Sequence, residues 1–316
     1  VVYAEGEDER VLRAVQTVID EKLAHPILLG RRRVIESRLR QLGLRIKPEQ
    51  DFELVDPQSD RRYKEYWTLY HNLMERLGVT PDDARTLVRT RTTVIASLMV
   101  KLGQADAMIC GVDGRYMHHL RHVRDIIGLR RGVQAPSALT VLVLRKGAFF
   151  LCDTHVTAEP TAECIAEMTL TAAEAMRRFG IEPKAALLSH SSFGASDEPS
   201  ARKMRAALAL VLATNPDFEI EGEMQAELAI SPELRERLFP HSRLTGPANL
   251  LVMPTMDAAN LALGLLRQLG EGMSIGPILM GVAQAANIVT PTISVRGLVN
   301  MTAVTVAEAQ ANVAVT

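Results

Sequence analysis

The densest group of side chains able to hold an anion is GVDGRYMHHLRHVRDIIG, residues 111–128, which carries Arg115, His118, Arg121, His122 and Arg124. It follows DAMICGV, an apolar run that predicts a buried strand, so it lies where open α/β sheets place ligand crevices. On a helix, Leu120, Val123 and Ile127 share one face and are expected to pack on the sheet, leaving the basic residues on other faces. A helix start at Arg115 suits a phosphate, because free N–H groups and the positive helix end both attract anions. The same residues also suit a solvated basic face. His118 and His122 have the i,i+4 spacing of metal ligands, but no H-E-x-x-H pattern or third ligand accompanies them, so no metal is expected.

Four further stretches carry polar residues beside apolar runs. SHSSFGAS, residues 189–196, follows the strand-like AALL and precedes the helical SARKMR. Its hydroxyls and glycine could cradle an anion, or form an ordinary polar loop with a capping residue. Asp153 in CDTHVTAEP, and Glu221 and Glu223 in EIEGEMQ, are acids at strand ends. Asp153 could act as an acid or base, but an Asp after a strand more often caps the following turn, and spacing alone makes none of them catalytic. ANIVTPTISVRG, residues 286–297, has the setting of an active-site loop but holds no acid, no base and only one charge, Arg296.

These stretches need a scaffold, and the composition bounds it. At 316 residues the chain fits two α/β lobes or one large one. The net charge of −1 removes any general attraction to nucleic acid or membranes, so local basic clusters must carry anion binding. Aromatics make up only 4%, too few for a base-stacking surface. Cys110, Cys152 and Cys164 form no C-x-x-C pair and suggest reduced thiols in a cytoplasmic protein. No run reaches the roughly 18–20 apolar residues that span a bilayer, and no signal peptide is expected. VVYAEGEDERVLRA starts the chain without an initiating Met, which suggests a module of a longer polypeptide. Neither G-x-G-x-x-G nor G-x-x-x-x-G-K-[ST] occurs, which argues against a dinucleotide fold and a P-loop.

Strand-like and helical stretches alternate, as a parallel α/β sheet requires. VVYA, HPILLG, FELVD and DAMICGV read as strands, and Thr80-Pro81-Asp82-Asp83 as a capped helix start. ALTVLVLRKGAFFLCDTHV reads as a hairpin turning at Lys146-Gly147, so part of the sheet beyond Gly128 is expected to be antiparallel. Strands AALLSHS, FEIEGE, ANLLVMP and GPILMG follow, with helices between them. The expected division is a first lobe of residues 1–132 plus 278–316 and an inserted lobe of residues 133–277.

Taken in order, AEGEDERVLRA, MVKLGQADAMICG, LRHVRDIIG, CDTHVTAEPTAE, LLSHSSFGAS, EIEGEMQAELAI, GPANLLVMPTMDAANL and IGPILMGVAQAAN resemble the phosphate acetyl/butyryltransferase family over nearly the whole chain. The resemblance implies an isocitrate/isopropylmalate dehydrogenase-like fold: two α/β lobes, a ligand cleft between them, and homodimers or larger oligomers formed through the second lobe. Active members exchange the acyl group of acyl-CoA with phosphate. In them the pattern after Asn287 continues as Asp-Leu-Ser-Arg-Gly, with a further Asp six residues after that Arg. Here Thr290 stands at the Ser position, Pro291 at the Arg position and Gly297 at the later Asp position. Proline brings no charge and glycine no side chain, so proton transfer and charge stabilisation lose their groups.

Within the family, VVYAEGEDERVLRA and ANIVTPTISVRGLVNMTA are similar to the C-terminal module of hybrid malic enzymes. There a malic enzyme module, holding NADP and a divalent metal, precedes the transferase-like one, and acetyl-CoA regulates malate decarboxylation. The resemblance thus implies an inactive module that binds acetyl-CoA as an effector, with inhibition as the expected sign. Arg115, Arg121, Ser191, Ser192, Asn287 and Thr290 are the implied ligand residues, with no catalytic residue and no metal. An alternative is a living acyltransferase that uses Arg296 or Arg115 instead. A third is an assembly module that binds nothing.

Overall fold

The apolar runs that open the chain build its first sheet. In the computed structural model, which describes residues 1–313, β1 (Val2–Tyr3), β2 (Ile27–Leu29) and β3 (Glu53–Val55) alternate with α1 (Glu9–Asp20) and α2 (Arg32–Gln41). Three helices follow, α3 (Tyr63–Met74), α4 (Pro81–Thr90) and α5 (Thr92–Lys101), before β4 (Met108–Cys110) and α6 (Tyr116–Ile127). Every residue of β1, β2 and β4 is buried. A parallel sheet covered on both faces demands such uninterrupted apolar strands. At α4, Thr80 and Asp83 cap each other reciprocally and Pro81 occupies the first turn, as the sequence predicts. Helix α5 is buried from Thr93 to Val100, as a helix apolar on all sides must be.

The second unit contains β5 (Ser137–Leu144), β6 (Gly147–Cys152), α7 (Ala162–Arg178), β7 (Lys184–Leu188), α8 (Pro199–Ala213), β8 (Glu219–Met224), α9 (Ala226–Ile230), α10 (Pro232–Leu238), β9 (Leu250–Val252), α11 (Met256–Leu269) and β10 (Met273–Met280). Its sheet runs β10-β5-β6-β9-β7-β8. The β10, β5 and β6 pairings are antiparallel, and those among β6, β9, β7 and β8 are parallel. Leu144 pairs with Gly147, so the hairpin turns at Arg145-Lys146, one residue before the expected place. Arg235 is fully buried and staples two loops of this unit. Its Nη1 donates to the Leu228 and Ala229 carbonyls at 2.7 and 3.2 Å, and its Nη2 to those of Leu244 and Gly246 at 3.2 and 2.6 Å.

The chain then supplies β11 (Ala286–Ile288) and α12 (Val295–Val313) to the first unit. That sheet is wholly parallel in the order β11-β4-β1-β2-β3. Helix α12 lies along α1, and the Tyr3 hydroxyl meets Thr302 Oγ1 at 2.7 Å.

The two compact units are residues 1–131 with 282 onward, and residues 132–281. The expected return at residue 278 must be corrected, since it would cut β10. That strand pairs with β5 from Met273 to Met280 and so belongs entirely to the second unit. Residues 314–316 of the expected first lobe lie outside the described residues. Within the segment expected to be one loop, Ala286–Ile288 forms a strand and Arg296 and Gly297 lie in a helix.

Candidate functional site

Three loops of the first unit leave the carboxyl ends of β1, β4 and β11, the position where open α/β sheets bind ligands. Gly111, directly after β4, has φ +97°, and a Cβ there would stand 2.4 Å from the Val289 carbonyl oxygen. Only glycine lets the β4 and β11 ends approach this closely.

Arg10 ties the three loops together. Its guanidinium forms a two-point pair with Asp8, at 3.0 Å from both Nε to Oδ1 and Nη2 to Oδ2. It also donates to the Val112 carbonyl at 3.0 Å, the Pro291 carbonyl at 2.5 Å and the Ile293 carbonyl at 3.3 Å. A planar fork with five N–H groups can span three loops in this way; an ammonium cannot.

Beside this clamp lies a cavity of about 560 Å³, lined entirely by the first unit. Glu5, Arg91, Arg115, His119, Arg121 and Asp125 carry most of its chemistry. Arg115 is the N-terminal cap residue of α6, and its side chain makes no capping bond. Arg121 is 78% exposed, with Nε 3.6 Å from Asp125 Oδ2. Arg115 and Arg121 therefore border one cavity, at a helix start suited to a phosphate.

Glu5 sits at the end of β1 with only 15% of its side chain exposed. Its Oε1 accepts from the Gly111 N–H at 3.1 Å and stands 4.0 Å from His119 Nδ1. Burial pushes its carboxyl up to about 7, against the lowering effect of the Gly111 and Val112 N–H groups. His119 Nε2 lies 2.7 Å from the Asp113 carbonyl, and Nδ1 lies 2.8 Å from Thr93 Oγ1. Since a carbonyl only accepts, the proton belongs on Nε2, and neutral Nδ1 accepts from the threonine. Burial lowers the basicity of both His119 and His122. Among the described residues, no group of three or more His, Cys, Asp or Glu converges to hold a metal.

The remaining expected ligand residues fall elsewhere. Asn287, on β11, is completely buried, and its Nδ2 donates to Thr305 Oγ1 at 2.9 Å and Glu308 Oε2 at 2.6 Å. These bonds tie β11 to α12 in the interior of the first unit. Thr290 is half-buried and its hydroxyl pairs with that of Thr292 at 3.1 Å. Gly297 lies in the first turn of α12, where the Ile293 side chain already takes the space: a Cβ at 297 would stand 2.8 Å from Ile293 Cγ1.

In the second unit, the hydroxyls expected to face a ligand hold their own loop. Ser191 Oγ donates to Glu223 Oε1 at 2.8 Å and accepts from the Ser196 N–H at 3.0 Å. Ser192 Oγ accepts from the Gln225 N–H at 3.1 Å. Glu223 Oε1 also receives the Gly194 N–H and Arg205 Nη1, each at 3.0 Å. Both serines nevertheless border a smaller cavity of about 260 Å³ with His190 and Gln225. Asp153 proves to be a turn cap, accepting four N–H groups, from Ala138, His155, Val156 and Thr157, at 2.8–3.1 Å.

Sequence reasoning missed Glu5, Arg10 and His119. Glu5 follows the strand VVYA directly, and a carboxylate at the end of a parallel strand was a signal that could have found it.

The comparisons with known proteins bear on the whole chain. The family model for Phosphate acetyl/butaryl transferase matches residues 1–306. An NAD-dependent malic enzyme of Rhizobium meliloti is 54% identical over 308 residues, covering 98% of this chain and 40% of its own length. An NADP-dependent malic enzyme of Escherichia coli is 50% identical over 311 residues, covering 98% and 41%. This chain thus spans about 40% of the malic enzymes it matches. Among solved structures, a phosphotransacetylase of Streptococcus pyogenes superposes with a TM-score of 0.91 at 28% identity, covering 98% of this chain and 94% of that one. With its two α/β units and near-complete match to the family model, the chain belongs to the phosphate acetyl/butyryl transferase family.

Proposed function

We propose that this chain is the acetyl-CoA-sensing module of a malic enzyme and that it transfers no acetyl group itself. The observation that carries the reading is the loop after β11. Its one hydroxyl at the family's serine position is bonded to Thr292, Pro291 offers only a carbonyl that Arg10 holds, and Ile293 fills the space beside Gly297. No general base and no cation projects from these three positions, and acyl transfer to phosphate needs both. The malic enzymes of R. meliloti and E. coli, at 54% and 50% identity, support the assignment of the parent protein.

In this reading the rest of the polypeptide oxidatively decarboxylates malate to pyruvate, with NADP as the E. coli relative's name gives it, and holds the divalent metal. Phosphates of acetyl-CoA meet Arg115 and Arg121 at the first unit's cavity. The effector inhibits, so that acetyl-CoA limits its own supply of pyruvate. Regulation of this kind requires acetyl-CoA to prefer one state of the assembly over another. The proposed assembly is a homo-oligomer in the cytoplasm built on the second unit. There α11 buries only Ala259 and exposes Leu261, Leu265 and Leu269 by 67%, 60% and 80% along one stripe.

Calorimetric titration of the purified chain with acetyl-CoA tests the reading. Saturable binding is expected, weakened about tenfold by Arg121→Ala, the worth of one charge-assisted contact. The absence of binding at about 1 mM acetyl-CoA, where even a weak −4 kcal/mol association half-fills the site, would overturn it.

A further inference from the structure

We propose that a phosphate-bearing ligand enters the first unit's cavity together with a proton, taken up by Glu5. The inference rests on the acetyl-CoA reading for the identity of the ligand, and extends it to the conditions under which the site fills.

The geometry starts with charge. The cavity wall holds three arginines, Arg91, Arg115 and Arg121, against three carboxylates, Glu5, Asp113 and Asp125. With its histidines neutral, the wall carries no net charge while Glu5 is ionised, and one positive charge once Glu5 is protonated. A single buried carboxylate therefore decides whether this wall attracts a dianion. Coulomb interactions at the edge of a protein interior are several times stronger than in water, so that one charge is not screened away.

Glu5 is also placed to change state. From β4 and the loop after it, Gly111 donates its N–H to Oε1, and buried Cys110 and charged Asp113 lie close enough to interact with the carboxyl. From α6, His119 stands 4.0 Å away. Its Nδ1 accepts from Thr93 of α5, so the nearest ring atom has its lone pair engaged by the threonine and offers the carboxylate no proton. From α1, Arg10 interacts with Glu5 at longer range, but its guanidinium is bonded to Asp8 and three carbonyls. Glu5 thus lacks a contact cation in a site where burial disfavours its charge, which places its titration in the physiological range. An incoming phosphate adds negative charge beside it and raises its proton affinity further, so binding and protonation reinforce each other. Asp125 pairs with Arg121 and Arg124 at 3.6 and 3.1 Å. His118, His119 and His122 also line the cavity. Burial lowers the pKa of the last two below the ordinary histidine value, so any help they give to anion binding comes at lower pH than that from Glu5.

The test is calorimetry of the wild-type chain and Glu5→Gln with acetyl-CoA at pH 6.5, 7.5 and 8.5, in two buffers of different ionisation enthalpy. Sulfate, which does not titrate in this range, serves as a second probe. If only the protonated form binds, a single group titrating near 7 weakens wild-type affinity about 25-fold from pH 6.5 to 8.5, with close to one proton taken up at the upper end. Glu5→Gln should bind with an affinity that varies less than about twofold over the same range and take up no proton. Wild-type binding that is equally tight at all three pH values, or a Glu5→Gln variant that keeps the full pH dependence, overturns the proton coupling and leaves the effector reading standing. Proton-coupled sulfate binding without acetyl-CoA binding would do the reverse. A site that takes neither probe at any pH refutes both.

Discussion

Replacing Arg10 with alanine tests whether the loops at the sheet's carboxyl edge form one unit. The wild-type guanidinium donates to the carbonyls of Val112, Pro291 and Ile293 at 3.0, 2.5 and 3.3 Å. A hydrogen bond to a charged donor contributes about 1.5–3 kcal/mol net when buried. The side chain is 32% exposed, so water can replace part of what is lost. The 3.3 Å contact is the weakest of the three. The pair with Asp8 counts for little, because Asp8 is partly exposed and caps the Arg10 N–H whatever the side chain. Together these put the cost of Arg10→Ala at about 2–4 kcal/mol, with Arg10→Lys recovering less than half because an ammonium lacks the fork. Urea denaturation reads the stability. Hydrogen exchange at Ile293, whose N–H bonds to the Thr290 carbonyl at 2.9 Å, reads the loop. Exchange there should accelerate more than at the central strand β1. A stability change within about 0.5 kcal/mol, with unaltered exchange at Ile293, would refute the clamp.

Glu5→Gln should change the pH dependence of stability as well as of binding. The native carboxyl titrates at about 7 instead of 4.5, so its stabilising contribution is complete below 4.5 and is lost as pH rises through 7. The variant should gain up to about 3 kcal/mol on the wild type between pH 4.5 and 8, and a constant difference across that range would contradict the burial. Asn287→Ala should cost about 1–3 kcal/mol by removing the two hydrogen bonds that its amide donates to Thr305 and Glu308 while leaving acetyl-CoA affinity unchanged. Lost affinity at unchanged stability would return Asn287 to the ligand. Arg235→Ala, which removes one donor from four carbonyls, of which Ala229 keeps the Ala248 N–H, should destabilise the second unit by about 3–5 kcal/mol in thermal or urea unfolding; a loss below 1 kcal/mol would mean that water replaces the staple.

The features legible in the sequence are those that local physics decides. The Thr80–Asp83 helix start needs only its own four residues, and β1, β2 and β4 announce themselves as apolar runs buried on both faces. Strand β11 was hidden because its three residues, one of them Asn287, become a strand only by pairing with Met108–Cys110, far away in the chain. The first half of β10 was hidden for the same reason: Met273–Ile275 follow two glycines and owe their extended form to pairing with β5. At the candidate site, the sequence shows residue types but not their partners. Ser191 and Ser192 read as ligand donors because nothing nearby in sequence shows that Glu223 and Gln225 engage their hydroxyls. Arg115 and Arg121 could be placed on one helix from their spacing, whereas Glu5 joined them only through the meeting of β1 and β4.

Acetyl phosphate formation from acetyl-CoA and inorganic phosphate, measured on the purified chain at concentrations where acetyl-CoA saturates it, tests the central claim most directly. Binding with no product above the uncatalysed background is the expected result. Turnover at an ordinary enzymatic rate of about 1 per second or faster would contradict it. It would show that a group outside Thr290, Pro291 and Gly297 performs the transfer.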